Sequence, residues 1–123
     1  MKIKIRKEKP FNYEERLVLF AADCIAFIKT LDRDEVGIYY SDQILRSSGS
    51  SALHYGEAQG ANTSKDFIHK VSGTIKELKE TRVSLKILEK AQYGATDLRA
   101  YLIGEIGELV SIGNSMILNK KKK

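Results

Sequence analysis

Apolar residues recur along this chain at steps of three and four, the spacing that places side chains on one face of an α-helix. The first run passes through Leu17 and Cys24, with Asn12 and Glu15 at its start. An asparagine followed three residues later by a glutamate is typical of a helix N-terminus. The pattern predicts a first helix over about 12–31, with Cys24 on its buried face.

The second segment keeps helical spacing but contains Ser47 to Ser51, a run of poor helix formers. Propensity alone predicts a loop at this run. A continuous helix over about 34–60 is favoured instead, because small side chains on one face let a neighbouring helix approach closely. We therefore expect Ser48 and Ser51 to lie against another helix.

Gly60 and the polar residues after it form the clearest break in the pattern, because glycine often ends a helix and Thr63 can cap the next one. Apolar periodicity then predicts helices over about 63–92 and 96–119, separated at Gly94. Four helices of similar length with short connections run antiparallel to their neighbours. The predicted fold class is all-α, an antiparallel up-down-up-down four-helix bundle.

The composition fits one small domain. A chain of 123 residues and 13.9 kDa with 42% hydrophobic residues can bury a single core. No window approaches the roughly 18 uninterrupted apolar residues of a membrane span, so no membrane partner is expected. The first residues lack the apolar region of a signal peptide, and the single Cys24 cannot form an internal disulfide. A cytoplasmic location is expected.

The net charge of +5 is concentrated at the two ends of the chain. Residues 1–9 carry +4 and residues 120–123 carry another +4, which leaves −3 for residues 10–119. The chain is accordingly divided into a basic N-terminal arm over 1–10, the bundle over 11–119, and a lysine tail.

The basic residues of these two ends are the candidate nucleic-acid contacts, since clustered cations attract the phosphates of a polyanion. They are Lys2, Lys4, Arg6, Lys7, Lys9, Lys120, Lys121, Lys122 and Lys123. In an up-down-up-down bundle the first helix begins at the end where the fourth finishes, so we expect the two groups to emerge side by side. A terminal lysine run that serves only solubility is the alternative.

The stretch 43–78 reads QILRSSGSSALHYGEAQGANTSKDFIHKVSGTIKEL and resembles the motif of a four-helix-bundle family, the 23S rRNA intervening-sequence proteins. The matching positions are Gln43, Arg46, Ser50, Glu57, Ser64, Lys65, Phe67, Ile68, Glu77 and Leu78. The sequence departs from the motif at several positions, among them His54 for asparagine, Asp66 for glutamate, and Ala61 where a basic residue is frequent.

This resemblance implies a cytoplasmic bacterial protein that commonly forms a homopentamer and is associated with RNA. It implies no catalytic activity and no cofactor. Ala61 stands where the family frequently has a basic residue, so the resemblance gives less support for an RNA contact at that turn.

Five polar residues of the motif are interpreted as structural: Gln43, Arg46, Glu57, Lys65 and Glu77. Arg46 and Glu77 stand at nearly equal distances from the turn between their helices, so they should face each other. Glu57 is level with Lys65 and is expected to pair there. Exposed pairs of this kind contribute only about 0–1 kcal/mol each.

A catalytic or metal site is not expected. A di-metal centre in a bundle uses Glu-x-x-His from two helices, whereas His54-x-x-Glu57 has the reverse order and Asp66-x-x-His69 has an aspartate. The two histidines lie near one turn, so a shared metal is the alternative to solvated side chains. No phosphate loop and no local serine–histidine–carboxylate set is present. We predict no enzymatic activity, no cofactor and no small-molecule substrate.

The sequence leaves two functions open. The first is a non-enzymatic homo-oligomer, expected to be a pentamer, that associates with RNA or a ribonucleoprotein through its basic termini. The second is a structural or adaptor protein that recruits another protein and binds no nucleic acid. Five tyrosines are more than a small core needs, and several of them are expected at subunit contacts. They are Tyr39, Tyr40, Tyr55, Tyr93 and Tyr101.

Overall fold

The structure, a computed structural model, describes residues 8–10 and 12–122. Its elements are four helices: α1 (Tyr13–Ile28), α2 (Glu35–Gln59), α3 (Ser64–Ala91) and α4 (Thr96–Lys121). No strand occurs among the described residues, so the fold is all-α, as predicted.

Two helix starts show the capping read from the sequence. Asn12 Oδ1 accepts a hydrogen bond from the Glu15 amide at 2.8 Å, and Thr63 Oγ1 accepts one from the Asp66 amide at 3.0 Å. Each bond satisfies a backbone N–H that has no partner inside the first turn of its helix. These caps fix where α1 and α3 begin.

The fourth helix is longer than the sequence predicted. It continues past 119 to Lys121, and Lys122 is its C-cap residue. Lys120 lies over the ring of Phe67, with Nζ 4.7 Å from the ring centroid. Because this cation–π contact joins the last turn of α4 to α3, Lys120 and Lys121 belong to the helix and not to a separate tail.

The contacts between helices show how the bundle is wound. Along α2 and α3, Ser47 meets Thr81 and Ser51 meets Thr74, so numbers rise on one helix as they fall on the other. The same reversed order holds between α1 and α2, where Tyr13 meets Tyr55 and Cys24 meets Ser48. It holds between α3 and α4, where Phe67 meets Lys120 and Ile75 lies beside Gly113. It also holds between α4 and the α1 region, where Leu109 meets Tyr13 and Ala95 meets Thr30. The helices therefore run up, down, up and down.

The small face of α2 is buried, as predicted for a continuous helix. Ser47, Ser48 and Ser51 are at most 1% exposed, and the Ser47 and Thr81 hydroxyls lie 2.6 Å apart. Thr74 Oγ1 donates to the Ser51 carbonyl at 2.9 Å, so the polar atoms of this contact are satisfied. Close packing against α3 outweighs the low helix propensity of the serine run.

The turn between α3 and α4 depends on glycine. Gly94 has φ +85°, and a Cβ there would lie 2.6 Å from Cζ of Phe27, so no larger residue fits. The preceding Gln92 is the left-handed cap of α3. Arg99 is buried beneath the turn and donates to the Tyr93 carbonyl. This packing joins the end of α1 to the turn between α3 and α4.

Candidate functional site

The last turn of α4 and the first turn of α3 lie at the same end of the bundle. Lys120 contacts Phe67, and Lys65 stands two residues before that ring on an exposed position of α3. Lys121 and Lys122 follow on the surface. We call these four lysines the basic end. The sequence had assigned Lys65 a structural role only, and its antiparallel placement beside the tail was the signal that was missed.

The described part of the N-terminal arm does not join the basic end. Lys9 Nζ lies 2.7 Å from Glu105 and 3.1 Å from Glu108. Glu105 is fifteen residues before Lys120 on α4, which corresponds to about 22 Å along the helix. The expectation that Lys9 lies beside the tail is therefore wrong, because the buried carboxylate of Glu105 and the exposed one of Glu108 hold it near the middle of α4.

Lys9 belongs to a cluster of four charges that sum to zero. Arg16 Nε lies 2.9 Å from Glu105, and Arg16 Nη2 lies 2.6 Å from Glu108. We call Lys9, Arg16, Glu105 and Glu108 the ion-pair quartet. Since its charge is balanced within the bundle, Lys9 is a weak candidate for a phosphate contact. The remaining arm candidates, Lys2, Lys4, Arg6 and Lys7, lie outside the described residues, as does Lys123.

Glu105 is the most buried member of the quartet. Burial alone would raise the pKa of this carboxyl, but hydrogen bonds from Arg16 and Lys9 outweigh that effect and hold its pKa below the usual value. The same contact with Glu105 raises the pKa of Lys9. The quartet is therefore fully ionised at neutral pH and joins α4 to α1 and the arm.

The polar motif residues meet on the surface formed by α2 and α3. Arg46 Nη1 lies 3.2 Å from Glu77, the pair predicted from sequence, and Arg46 Nη2 lies 3.5 Å from Glu80. Arg46 is half exposed, so these pairs contribute at the low end of about 0–1 kcal/mol. Gln43 is half-buried on the same helix and makes no side-chain hydrogen bond among the described residues.

Glu57 does not pair with Lys65. Its carboxylate lies 3.0 Å from Nζ of Lys70, and the hydrogen bond from Lys70 lowers the pKa of Glu57. Lys70 is turned toward α2, whereas Lys65 is turned outward, because five residues rotate a helical side chain by about 140°. The predicted pair Glu57–Lys65 is therefore wrong, because the two residues match in height along the bundle but Lys65 occupies a face of α3 turned away from α2.

The two histidines line a shallow cleft between α2 and α3. The cleft has a volume of about 320 Å³ and is also lined by Lys70, Lys76 and Glu77. His54 Nε2 lies 3.9 Å from a Glu77 oxygen. Within residues 8–10 and 12–122, no group of three histidine, cysteine, aspartate or glutamate side chains is placed to hold a metal ion.

Five exposed aliphatic side chains form a strip along the outer surface of α1 and α2. Val18 and Ile25 stand two turns apart on α1, and Ile38, Leu45 and Leu53 follow α2. Each is between 42% and 70% exposed. The antiparallel contacts of the two helices place Ile25 level with Leu45 and Val18 level with Leu53. We call these five residues the apolar strip.

The expectation that several of the five tyrosines lie at subunit contacts stays a prediction, and the structure narrows which of them are available. Tyr55 is buried in the core, with its ring edge-on to Tyr13 at 4.8 Å, so it is not available at a surface. Tyr93 is held by Asp34, to which its hydroxyl donates at 2.7 Å. The seven-residue spacing of Val18 with Ile25 and of Ile38 with Leu45 was the overlooked signal of an exposed apolar face.

The fold and these surfaces define a small helical-bundle protein with a basic end, an internal ion-pair quartet and an exposed apolar strip. A sequence model of the 23S rRNA-intervening sequence protein family matches residues 14–115, nearly the whole bundle. The chain belongs to this family, which confirms the resemblance read from the 43–78 motif. No helix among the described residues is long and apolar enough to span a membrane.

A solved structure that the chain resembles is a protein of unknown function from Bacteroides thetaiotaomicron, described as a member of the S23 ribosomal protein family. The two share 26% sequence identity with a TM-score of 0.79. The similarity covers 86% of this chain and 98% of the other. The comparison with curated proteins gives no match.

Proposed function

We propose that this protein is a non-catalytic, cytoplasmic homo-oligomer that associates with RNA through the basic end. The observation that carries the proposal is the packing of α4 against α3, which gathers Lys65, Lys120, Lys121 and Lys122 at one end of the bundle. Asp66 is the acidic residue in the first turn of α3, so the local charge is +3. A cluster of this sign attracts the phosphates of RNA and releases condensed counterions on binding.

Family membership supports RNA as the polyanion. The family takes its name from intervening sequences of 23S rRNA, and the Bacteroides protein is described by the name of a ribosomal protein family. Both names refer to ribosomal RNA or the ribosome. An RNA or ribonucleoprotein partner is therefore the polyanion that best fits the basic end.

The contact at the basic end is expected to involve the RNA backbone more than its bases. Sequence-tolerant binding of single strands normally uses several aromatic rings as stacking platforms. Phe67 is the ring beside Lys120, and it is partly buried and already covered by the Lys120 ammonium group. Phosphate contacts position a nucleic acid without reading its sequence.

A second candidate function is that of an adaptor, and the apolar strip favours it. Five exposed aliphatic side chains on one face of a small protein are typical of a surface that binds another protein. In the oligomer we propose, a second copy of the chain covers this strip, in keeping with the homopentamer implied by the resemblance. In the adaptor function, a different protein covers it and the lysines serve solubility.

Salt-dependent RNA binding tests the proposed function. A labelled single-stranded RNA of about 20 nucleotides is titrated with the full chain and with K120Q/K121Q/K122Q over a range of salt concentrations. Removing three phosphate contacts should make the negative slope of log affinity against log salt shallower by about 2. The matched control, K29Q/R33Q, removes two exposed charges far from the basic end and should keep the parent slope. Equal slopes for all three proteins would contradict a site at this end.

A further inference from the structure

The outward face of α3 carries a row of lysines. Lys76, Lys79, Lys86 and Lys90 are all exposed, and their spacing places them within about 80° of one another around the helix axis. The row extends over about 21 Å at 1.5 Å per residue. We call these four residues the lysine stripe.

No carboxylate among the described residues forms an ion pair with the lysine stripe, although the exposed Glu89 follows Lys86 by three residues. Glu77 and Glu80 are turned toward α2, where both lie close to Arg46. None of the four lysines makes an ion pair or a side-chain hydrogen bond with another described residue. Lys9 and Lys70, by contrast, are held by glutamates at 2.7 and 3.0 Å. The four charges of the stripe are therefore free to meet an external anion.

The charge of the bundle differs from helix to helix. Ser64–Ala91 contains seven cations and four anions, a net charge of +3, whereas Tyr13–Ile28 and Glu35–Gln59 each carry −2. Averaging over residues 10–119 gives −3 and hides this separation. One face of an otherwise acidic body is positively charged, and a field of this kind steers an anion to that face.

We propose that the lysine stripe is a second RNA-binding surface, which contacts the sugar-phosphate backbone along α3. The inference rests on the proposed function and extends it from the end of the bundle to its side. A length of about 21 Å matches about six phosphates at 3.4 Å per nucleotide of a duplex strand. Lys65 of the basic end lies on this same face of α3, so the two sites form one continuous basic track.

The neutral positions within the stripe indicate which part of the RNA it contacts. Val83 lies between the lysines of the stripe, Ser72 lies one turn before Lys76, and both are exposed. No residue between Lys76 and Lys90 is aromatic, so stacking on bases does not contribute along the stripe. Lysine ammonium groups bind phosphate as point charges. The stripe therefore binds RNA with little preference for sequence.

Another occupant with the right chemistry is a second copy of this chain. The outer face of α1 and α2 combines the apolar strip with a net negative charge, and Val83 and Ile87 give α3 two exposed apolar side chains beside the stripe. The free lysines favour RNA, because an acidic protein face would need carboxylates spaced to match all four. The oligomer mass of the stripe variant separates the two occupants.

The experiment compares K76Q/K79Q/K86Q/K90Q with the parent, with K120Q/K121Q/K122Q and with the K29Q/R33Q control. A labelled single-stranded RNA of about 20 nucleotides is the probe, and affinity is measured against salt. All substituted lysines of the stripe are exposed, so helicity by circular dichroism should be unchanged. The stripe variant should lose about 2.8 from the log–log slope, and K76Q/K79Q alone about half of that.

The outcomes separate the stripe from the basic end. A parental slope in the stripe variant, together with a reduced slope in K120Q/K121Q/K122Q, would overturn the stripe and leave the proposed function intact. Loss of oligomer mass with an unchanged RNA slope would assign the stripe to a second copy and also overturn the proposal. A parent that binds no RNA would refute the proposed function and the stripe with it.

Discussion

Glu105 shows how a buried charge is accommodated in this bundle. Its side chain is 4% exposed, and taking a carboxylate out of water costs several kcal/mol unless the charge is paired and hydrogen-bonded. Arg16 and Lys9 both lie within 3 Å of it and supply those bonds. Glu108, which is 57% exposed, contacts the same two cations but remains in water.

We expect Glu105→Gln to destabilise the protein more than Glu108→Gln. The first change weakens two charge-assisted hydrogen bonds in a buried place and should cost about 2 kcal/mol, whereas the second alters an exposed pair and should cost less than about 1 kcal/mol. Chemical denaturation of both variants measures the difference. Equal losses would contradict the larger contribution expected of the buried carboxylate.

The quartet also predicts how stability depends on pH. Because the folded pKa of Glu105 is lowered, its contribution is present above the unfolded pKa of about 4.3 and is lost as pH falls through the folded value. The parent should therefore lose stability more steeply than Glu105→Gln below about pH 4. Denaturation midpoints of the two proteins between neutral and acid pH check this, and parallel curves would rule out the assignment to Glu105.

Some of these residue contacts can be predicted from the sequence and others cannot. The Arg46–Glu77 pair was predictable, since both residues belong to neighbouring helices joined by one short turn. The quartet was not, because Lys9 and Glu105 are 96 positions apart and the contact depends on the path of the arm before α1. Lys9 was predicted to contact phosphate because the net charge of residues 1–9 does not reveal that its partner is Glu105.

Helix packing explains why the elements were predictable. The run Ser47 to Ser51 is a weak helix former, but its small side chains recur on the face that meets α3. The end of α4 was misjudged at 119, because lysines have no apolar periodicity and the support from Phe67 comes from another helix. The helices follow from periodicity along the chain and two of their starts from local caps, whereas the end of α4 depends on a neighbouring helix.

Two glycines of α4 test the packing of that helix. A Cβ at Gly113 would lie 3.0 Å from Cγ1 of Ile75 and 3.1 Å from the Tyr13 hydroxyl, whereas Gly107 has nothing within 4 Å. Gly107→Ala should stabilise the helix by about 0.5–1 kcal/mol, since alanine is the better helix former. Gly113→Ala should lack this gain or destabilise, because close contacts offset it. Melting temperatures of the two variants decide, and an equal gain would mean that α3 and α4 pack less closely than described.

At the scale of the whole molecule, the two proposed interactions use different faces. The apolar strip follows α1 and α2, both of which carry −2, and the lysine stripe follows α3, which carries +3. This separation could not be predicted from the sequence, because the faces of the molecule are defined only once the order of the helices around the bundle is known. An oligomer that covers the apolar strip leaves the proposed RNA contacts on a different face.

The apolar strip therefore predicts which substitutions break the oligomer. Leu45→Glu and Leu53→Glu place charges on side chains that are 48% and 70% exposed, so each monomer should fold normally. Burying a charge at a subunit contact is costly, so the double variant L45E/L53E should dissociate. Light scattering should then show a mass that falls from a multiple of 13.9 kDa, five times that value in a pentamer, toward 13.9 kDa. Leu118→Glu, at a 58% exposed position of α4 away from the strip, is the matched control and should keep the parent mass. A parent that is already monomeric, or a double variant with unchanged mass, would show that a second copy does not cover this strip.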